Sequence, residues 1–228
     1  MSAVETIFQG ARSESRAKRA RVFRAAFNIG PATRILDFGA GNGANIAAVL
    51  AGTGAQPKNV YIASSDAEQT QQGHRNFGFV PIALPEAGQL PFEDGFFDIV
   101  YCASMMEQVV TSADLDLTTQ TEQEFQEQVH ASRHSIANEV RRLGRGYYVQ
   151  TPHKWFPLHV RTWLPFIDYL PRRAQLQVLS LSNRYWFRRA TPNWQLLTAT
   201  ELQQLFPEAD IRRERFMGLA RSIMAIRI

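Results

Sequence analysis

Residues 34–46 read RILDFGAGNGANI, with three glycines in five positions just after an apolar run and an aspartate. The run RILDF has the length of a short buried strand, and ANIAAVLAG beyond the glycines reads as a helix closing at Gly52 or Gly54. Glycine is needed in such a turn because a Cβ would clash with the required backbone angles or with a ligand lying on the loop. A strand, a glycine loop and a helix in that order restrict the chain to a narrow set of α/β arrangements.

The rest of the chain repeats the alternation. SRAKRARVFRAAF (15–27) is a helix with Ala17, Ala20, Val22, Phe23, Ala26 and Phe27 as its apolar positions, ended by Gly30-Pro31. NVYIAS (59–64) is a second strand, DAEQTQQGH a helix, FGFVPIAL a third strand and FFDIVYCAS (96–104) a fourth. TEQEFQEQVHASRHSIANEVRRLG is a long helix with Thr121 and Glu124 at capping-box spacing and Gly144 as its stop. GYYVQTP is a fifth strand, followed by an irregular aromatic and proline-rich region. TATELQQLF opens with a second capping box, Thr198 with Glu201. ADIRRERF and SIMAIRI close the chain as two strands joined at Met217-Gly218-Leu219. Strands alternating with helices and ending in a hairpin indicate an α/β fold, a Rossmann-like doubly wound sheet with helices on both faces.

At 228 residues, 45% hydrophobic and 20% charged, the chain has apolar material for a full core and is most simply one domain, 1–228. Residues 1–30 form an N-terminal helical cover, and 150–195 an insertion on the substrate side. The single cysteine, Cys102, allows no internal disulfide and no cysteine-based metal cluster, which fits a reducing cytoplasm. No stretch approaches the roughly 18 apolar residues of a membrane-spanning helix, so the expected location is cytoplasmic, with a peripheral membrane contact left open. Charge is segregated: residues 1–33 hold six Lys/Arg against two acids, 34–132 three against thirteen, and 133–228 sixteen against six. The basic ends either fold back over the acidic centre or present a basic face to an anionic partner.

Gly39-x-Gly41-x-x-Ala44 satisfies the dinucleotide fingerprint, a weak signal when taken alone. Asp37 shifts the reading. A carboxylate at the strand end, under the loop, repels a pyrophosphate and suits a ligand carrying an ammonium group, so a zwitterionic nucleoside fits better than NAD.

ILDFGAGNG resembles the first motif of class I S-adenosylmethionine-dependent methyltransferases. LPFEDGFFDIVYCASMMEQV (90–109) is similar to the fourth-strand segment of the branch that methylates small molecules, lipids and quinones. The resemblance covers most of residues 30–150 and the closing hairpin. It implies a seven-stranded sheet with S-adenosyl-L-methionine across the C-terminal ends of the first strands. Carried onto this chain, it implies that Gly39, Ala40, Gly41 and Gly43 line the methionine and ribose, with Asp37 beneath them facing the amino group. Asp66 is the ribose acid by spacing, with a helix N-cap as the competing role. Glu86 is the nearest match for the adenine-side acid, where an exposed loop carboxylate is the alternative. Ala103, Ser104 and Met105 follow the fourth strand and should contact the cofactor.

The acceptor side is expected in QTPHKWFPLHVRTWLPFIDYLP (150–171), which resembles a TPNRWFP segment of one methyltransferase subgroup, with His153 and Lys154 in place of the usual pair. His153 is the candidate general base, and Trp155, Phe156, His159 and Arg161 are the candidate acceptor contacts. The competing reading has the aromatics covering the sheet and the histidines on the surface. His130 and His134 stand at i, i+4, but no H-E-x-x-H pattern accompanies them and no metal site is expected. The asparagine-proline-proline-aromatic motif of amino-methylating nucleic-acid enzymes is missing, so no nucleic-acid partner is expected. The expected activity is methyl transfer to the oxygen or nitrogen of a small-molecule, sugar or lipid-linked acceptor. The alternative is a catalytically inactive binding or scaffold protein on the same fold.

Overall fold

The computed structural model describes residue 14 and residues 17–39, 41–85, 89–108, 121–159, 162–185 and 193–228. Its strands are β1 (Ile35–Phe38), β2 (Val60–Ser64), β3 (Val80–Ala83), β4 (Phe97–Ala103), β5 (Gly144–Pro152), β6 (Asp210–Phe216) and β7 (Leu219–Arg227). The helices are α1 (described over 17–26), α2 (Ala44–Leu50), α3 (Ala67–Phe77), α4 (Glu122–Leu143), α5 (Arg172–Tyr185) and α6 (Ala199–Leu205). The strands make one seven-stranded sheet in the order β3-β2-β1-β4-β5-β7-β6. This is the doubly wound α/β sheet that the alternation indicates, with an antiparallel β6–β7 hairpin at its end. The chain divides into two compact units: residues 1–102 with 143–148 and 228, and residues 103–142 with 149–227.

In the first unit β1 pairs in parallel with β2 and β4, and β2 with β3. All four residues of β1 are buried, as expected of a strand covered on both faces. β3 is the edge, where Pro81 can sit although it donates no ladder hydrogen bond. Helix α1 packs through Phe23, whose ring meets Tyr101 and Tyr148 edge-on at 5.3 and 5.4 Å, while those two tyrosines stack on each other. Such ring pairs contribute about 0.5–1.5 kcal/mol each beyond their buried area.

In the second unit α4 buries Phe125, Val129, Ile136 and Val140, with the period read from sequence. Both capping boxes form: Glu124 accepts from the Thr121 N–H and Glu201 from the Thr198 N–H, at 2.9 and 2.7 Å. A second cluster joins Ile167, Leu179, Trp194 and Leu196. The exposed edge strand β6 points Arg212, Arg213 and Arg215 outward, which discourages edge-to-edge pairing.

Four expectations need correction. Residues 172–185, read as irregular with the aromatic and proline-rich stretch before them, form α5, a helix that packs on the second cluster through Leu179. Gly144 does not cap α4 in the left-handed region; it opens β5, where a Cβ would lie 2.6 Å from the Gly146 carbonyl oxygen and 2.9 Å from Val100. The third strand begins at Val80 rather than Phe77, because α3 continues to Phe77 and ends on Gly78 at φ 73. β7 starts at Leu219, so the closing turn is only Met217-Gly218.

Candidate cofactor site

Gly39, Gly41 and Gly43 all adopt positive φ, at 86°, 56° and 72°. Three left-handed residues alternating along five positions fold the chain over the end of β1, and a Cβ at any of them strains the backbone. The loop is tied down where the Gly39 N–H donates to the Ala63 carbonyl at 2.9 Å. Gly43 has a second constraint, since a Cβ there would stand 3.1 Å from the Phe79 ring. At Gly41 it would stand 2.8 Å from Oε1 of Gln69.

Asp37 lies in β1 between Ile62 of β2 and Tyr101 of β4. Its side chain is 3% exposed, and among the described residues Oδ2 has no hydrogen-bond partner. Burial pushes its carboxyl up to about 8. An orphaned buried carboxylate oxygen costs on the order of 1–3 kcal/mol or more unless a ligand meets it. Beside it the Tyr101 hydroxyl accepts from the Asn45 side-chain N–H at 3.1 Å; burial first, then the charge of Asp37, raises its pKa.

Asp66 is the N-cap of α3, its Oδ1 accepting from the backbone N–H groups of Glu68 and Gln69 at 3.0 and 3.1 Å. Oδ2 accepts from the Gln69 side-chain amide at 2.7 Å. Those bonds, the Gln69 amide foremost, hold its carboxyl below the usual carboxylate range. The side chain is exposed, and through Gln69 it reaches the face of Gly41. Ser64 ends β2, and its Oγ accepts from the Asp66 N–H at 3.2 Å. Ala40, Glu86 and Arg161 lie outside the described residues.

The second unit holds the remaining candidates. Ala103 ends β4, and exposed Ser104 follows it at φ 60, its N–H donating to the Gln150 carbonyl at 2.8 Å. His153 stands just past β5, held where its backbone N–H donates to the Arg221 carbonyl at 3.0 Å. Its ring bonds the Ala220 backbone, while Nδ1 is buried with no partner among the described residues. Burial, then the nearby charge of Arg213, lowers its pKa, so the imidazole is neutral at neutral pH. Trp155 is exposed, Phe156 half-buried, and His159 buried in a stack on Trp194 at 4.4 Å, with Nδ1 facing the Thr162 hydroxyl at 2.9 Å. His130 and His134 meet each other on the exposed face of α4, with Nε2 atoms 3.1 Å apart. Among the described residues no group of three or more metal-ligating side chains gathers.

Sequence reasoning missed Gln69, Asn45 and Gly73. Gly73 was legible as a lone glycine inside a helix: a Cβ there would stand 2.8 Å from the Asn42 carbonyl oxygen, so α3 seats directly on the glycine loop. It also missed Glu107, buried and accepting from the Thr151 hydroxyl at 3.0 Å. Glu107 stands between Met106 and Gln108, a local pattern that gives no such signal.

A sheet of this order, carrying a left-handed glycine loop over a buried acid, defines a nucleoside-binding α/β protein. Residues 36–121 match the family model described as a methyltransferase domain. No curated protein matches the sequence. Magnesium protoporphyrin IX methyltransferase from Synechocystis PCC 6803, solved with bound S-adenosylhomocysteine, has a TM-score of 0.57 at 14% identity, covering 100% of this chain and 89% of that one. An S-adenosylmethionine-dependent methyltransferase from Mesorhizobium loti gives 0.53 at 12%, covering 90% and 95%. Geranyl diphosphate methyltransferase, solved with S-adenosylmethionine, gives 0.53 at 11%, covering 92% and 84%. At such identities these likenesses establish the fold. With the matched domain they support an S-adenosylmethionine-dependent methyltransferase and indicate S-adenosylmethionine as its cofactor.

Proposed function

We propose that the chain transfers a methyl group from S-adenosylmethionine to an oxygen or nitrogen of a small-molecule, sugar or lipid-linked acceptor. The observation that carries the reading is Asp37, whose buried Oδ2 has no partner among the described residues and lies beneath three left-handed glycines. That donor set fits the cofactor: an anionic oxygen for the amino group, and open loop backbone in place of side chains.

Asp37 holds the ammonium end, and Gly39, Ala40, Gly41 and Gly43 line the methionine and ribose. Asp66 with Gln69 supplies the ribose contacts, Glu86 stands on the adenine side, and Ala103 and Ser104 add backbone contact. When bound, the cofactor supplies a methyl group on a sulfonium, an electrophile that needs in-line positioning more than strong acid–base help. His153 is the base where the acceptor needs one: its neutral ring has a nitrogen lone pair at Nδ1 with no competing partner among the described residues. Trp155 and Phe156 offer apolar contact, Arg161 a charge for an anionic acceptor group, and His159, which packs on Trp194, a further acceptor contact. An inactive scaffold is not favoured, because an intact Asp37 and glycine loop are costly features with no ligand to hold.

Isothermal titration with S-adenosylmethionine, S-adenosylhomocysteine and NAD tests the reading. Binding of both adenosyl ligands and silence toward NAD is expected. Tight NAD binding without adenosyl binding overturns it.

A further inference from the structure

The second unit leaves an apolar surface that nothing in methyl transfer explains. Helix α5 faces inward through Leu179, which packs with Ile167, Trp194 and Leu196. Its other side carries Val178, Leu181 and Tyr185, spaced i, i+3, i+7 on one face and 36%, 63% and 73% exposed. Just before the helix, Phe166 is 59% exposed, with Tyr169 and Leu170 also open. Phe166 sits at φ 57, a left-handed backbone that an aromatic residue adopts only at a cost. That backbone holds a large apolar ring mostly out in water. Phe166 and Trp155 both rest edge-on against Tyr169, at 5.8 and 5.3 Å, so the three rings form one group.

Charge selects the occupant. Lys154 lies over the Trp155 ring, Arg184 over Tyr185, and Arg173 is exposed at the start of α5. Residues 153–185 contain a single acid, Asp168, which is buried and accepts from the Trp194 indole N–H at 3.1 Å. Aromatic and aliphatic side chains flanked by cations, without exposed acids in the segment, match the anionic headgroup layer of a bilayer and its acyl boundary. A second copy of the chain, docked face to face, would set this cationic patch against the same cationic patch. We propose that this face of the second unit, Phe166, Tyr169 and Leu170 with the Val178–Leu181–Tyr185 stripe of α5, docks on anionic lipid membranes as a peripheral contact. The orientation is interfacial, since no helix among the described residues is long and apolar enough to cross a membrane.

Flotation of the full chain with phosphatidylcholine vesicles, with and without phosphatidylglycerol, tests the proposal without reading methyl transfer, so it stands or falls apart from the assigned activity. The three cations predict roughly hundred-fold tighter binding to the anionic vesicles, lost at high salt. Joint substitution Phe166→Asn and Leu181→Ser is expected to weaken vesicle binding at least tenfold. Joint Arg173→Glu and Arg184→Glu, surface changes that spare the core, is expected to abolish most of the anionic preference. Circular dichroism and S-adenosylhomocysteine titration establish that each variant is folded. The proposal is overturned if the wild type floats with neither vesicle or with both equally, or if the charge-reversed variant keeps the preference. It is equally overturned if the surface proves to be a dimer contact, with Phe166→Asn/Leu181→Ser converting an oligomer to monomer in gel filtration.

Discussion

Binding of S-adenosylhomocysteine should release a proton from Asp37. Burial raises this carboxyl to about 8 in the free protein, so at pH 7 the native state holds it largely protonated. The ligand's ammonium group favours the carboxylate and pulls the pKa back down. At pH 7 the free protein carries about 0.9 proton on Asp37, and close to that number leaves on binding. Affinity then rises about tenfold per pH unit between about pH 6 and pH 7.5, until the ligand's own ammonium begins to deprotonate. The free protein shows the converse. The unfolded chain ionises Asp37 near 3.8 and the native chain near 8, so the native state binds more protons between those values. Stability contributed by the protonated form is full below about pH 4 and is lost as pH rises toward 8, with a ceiling of about 6 kcal/mol that relaxation and water entry reduce. Titration calorimetry at pH 7 in two buffers of different ionisation enthalpy counts the released protons. Thermal melts across the same range follow the free protein. Asp37→Asn should remove both the proton release and its share of the pH-dependent melting. Proton-independent binding by the wild type, or an unchanged release in the variant, refutes the assignment of Asp37.

Gly41→Val should abolish cofactor binding while the protein stays folded, because it places a branched side chain at φ 56 against Gln69; equilibrium binding checks it. Gly43→Ala should instead lower the melting temperature as well as affinity, because its Cβ would press on Phe79. Asp66→Ala should shift melting downward through loss of the α3 cap and weaken ribose recognition only partly, with Gln69→Ala giving weaker binding without the cap loss. His153→Ala should lower kcat about 10²–10⁴-fold with little change in cofactor Kd if the acceptor needs a base. Full turnover in that variant would leave His153 as a purely structural residue bonded to Ala220.

The sheet was legible because its signals are local. A four-residue apolar strand, a triple-glycine loop and two Thr-Glu capping boxes each act within a few residues, and all appear where the sequence puts them. Asp37 was legible for the same reason: its place at the end of β1 follows from chain distance to the loop. Helix α5 was not, since it follows an aromatic and proline-rich stretch with no capping signal at its start; in the structure it packs on Trp194 and Ile167 through Leu179. Nor could spacing decide Asp66, whose two oxygens are taken by the α3 N-terminus and Gln69 once the helix is in place. Sequence alone thus determined the order of the strands and the acid under the glycine loop, because both depend on short-range sterics and periodicity. Tertiary structure alone decided that Asp37 is dry enough to hold a proton near neutral pH, that Gln69 covers Gly41, and that Nδ1 of His153 is buried without a partner among the described residues, because desolvation and long-range contacts exist only after the chain has packed.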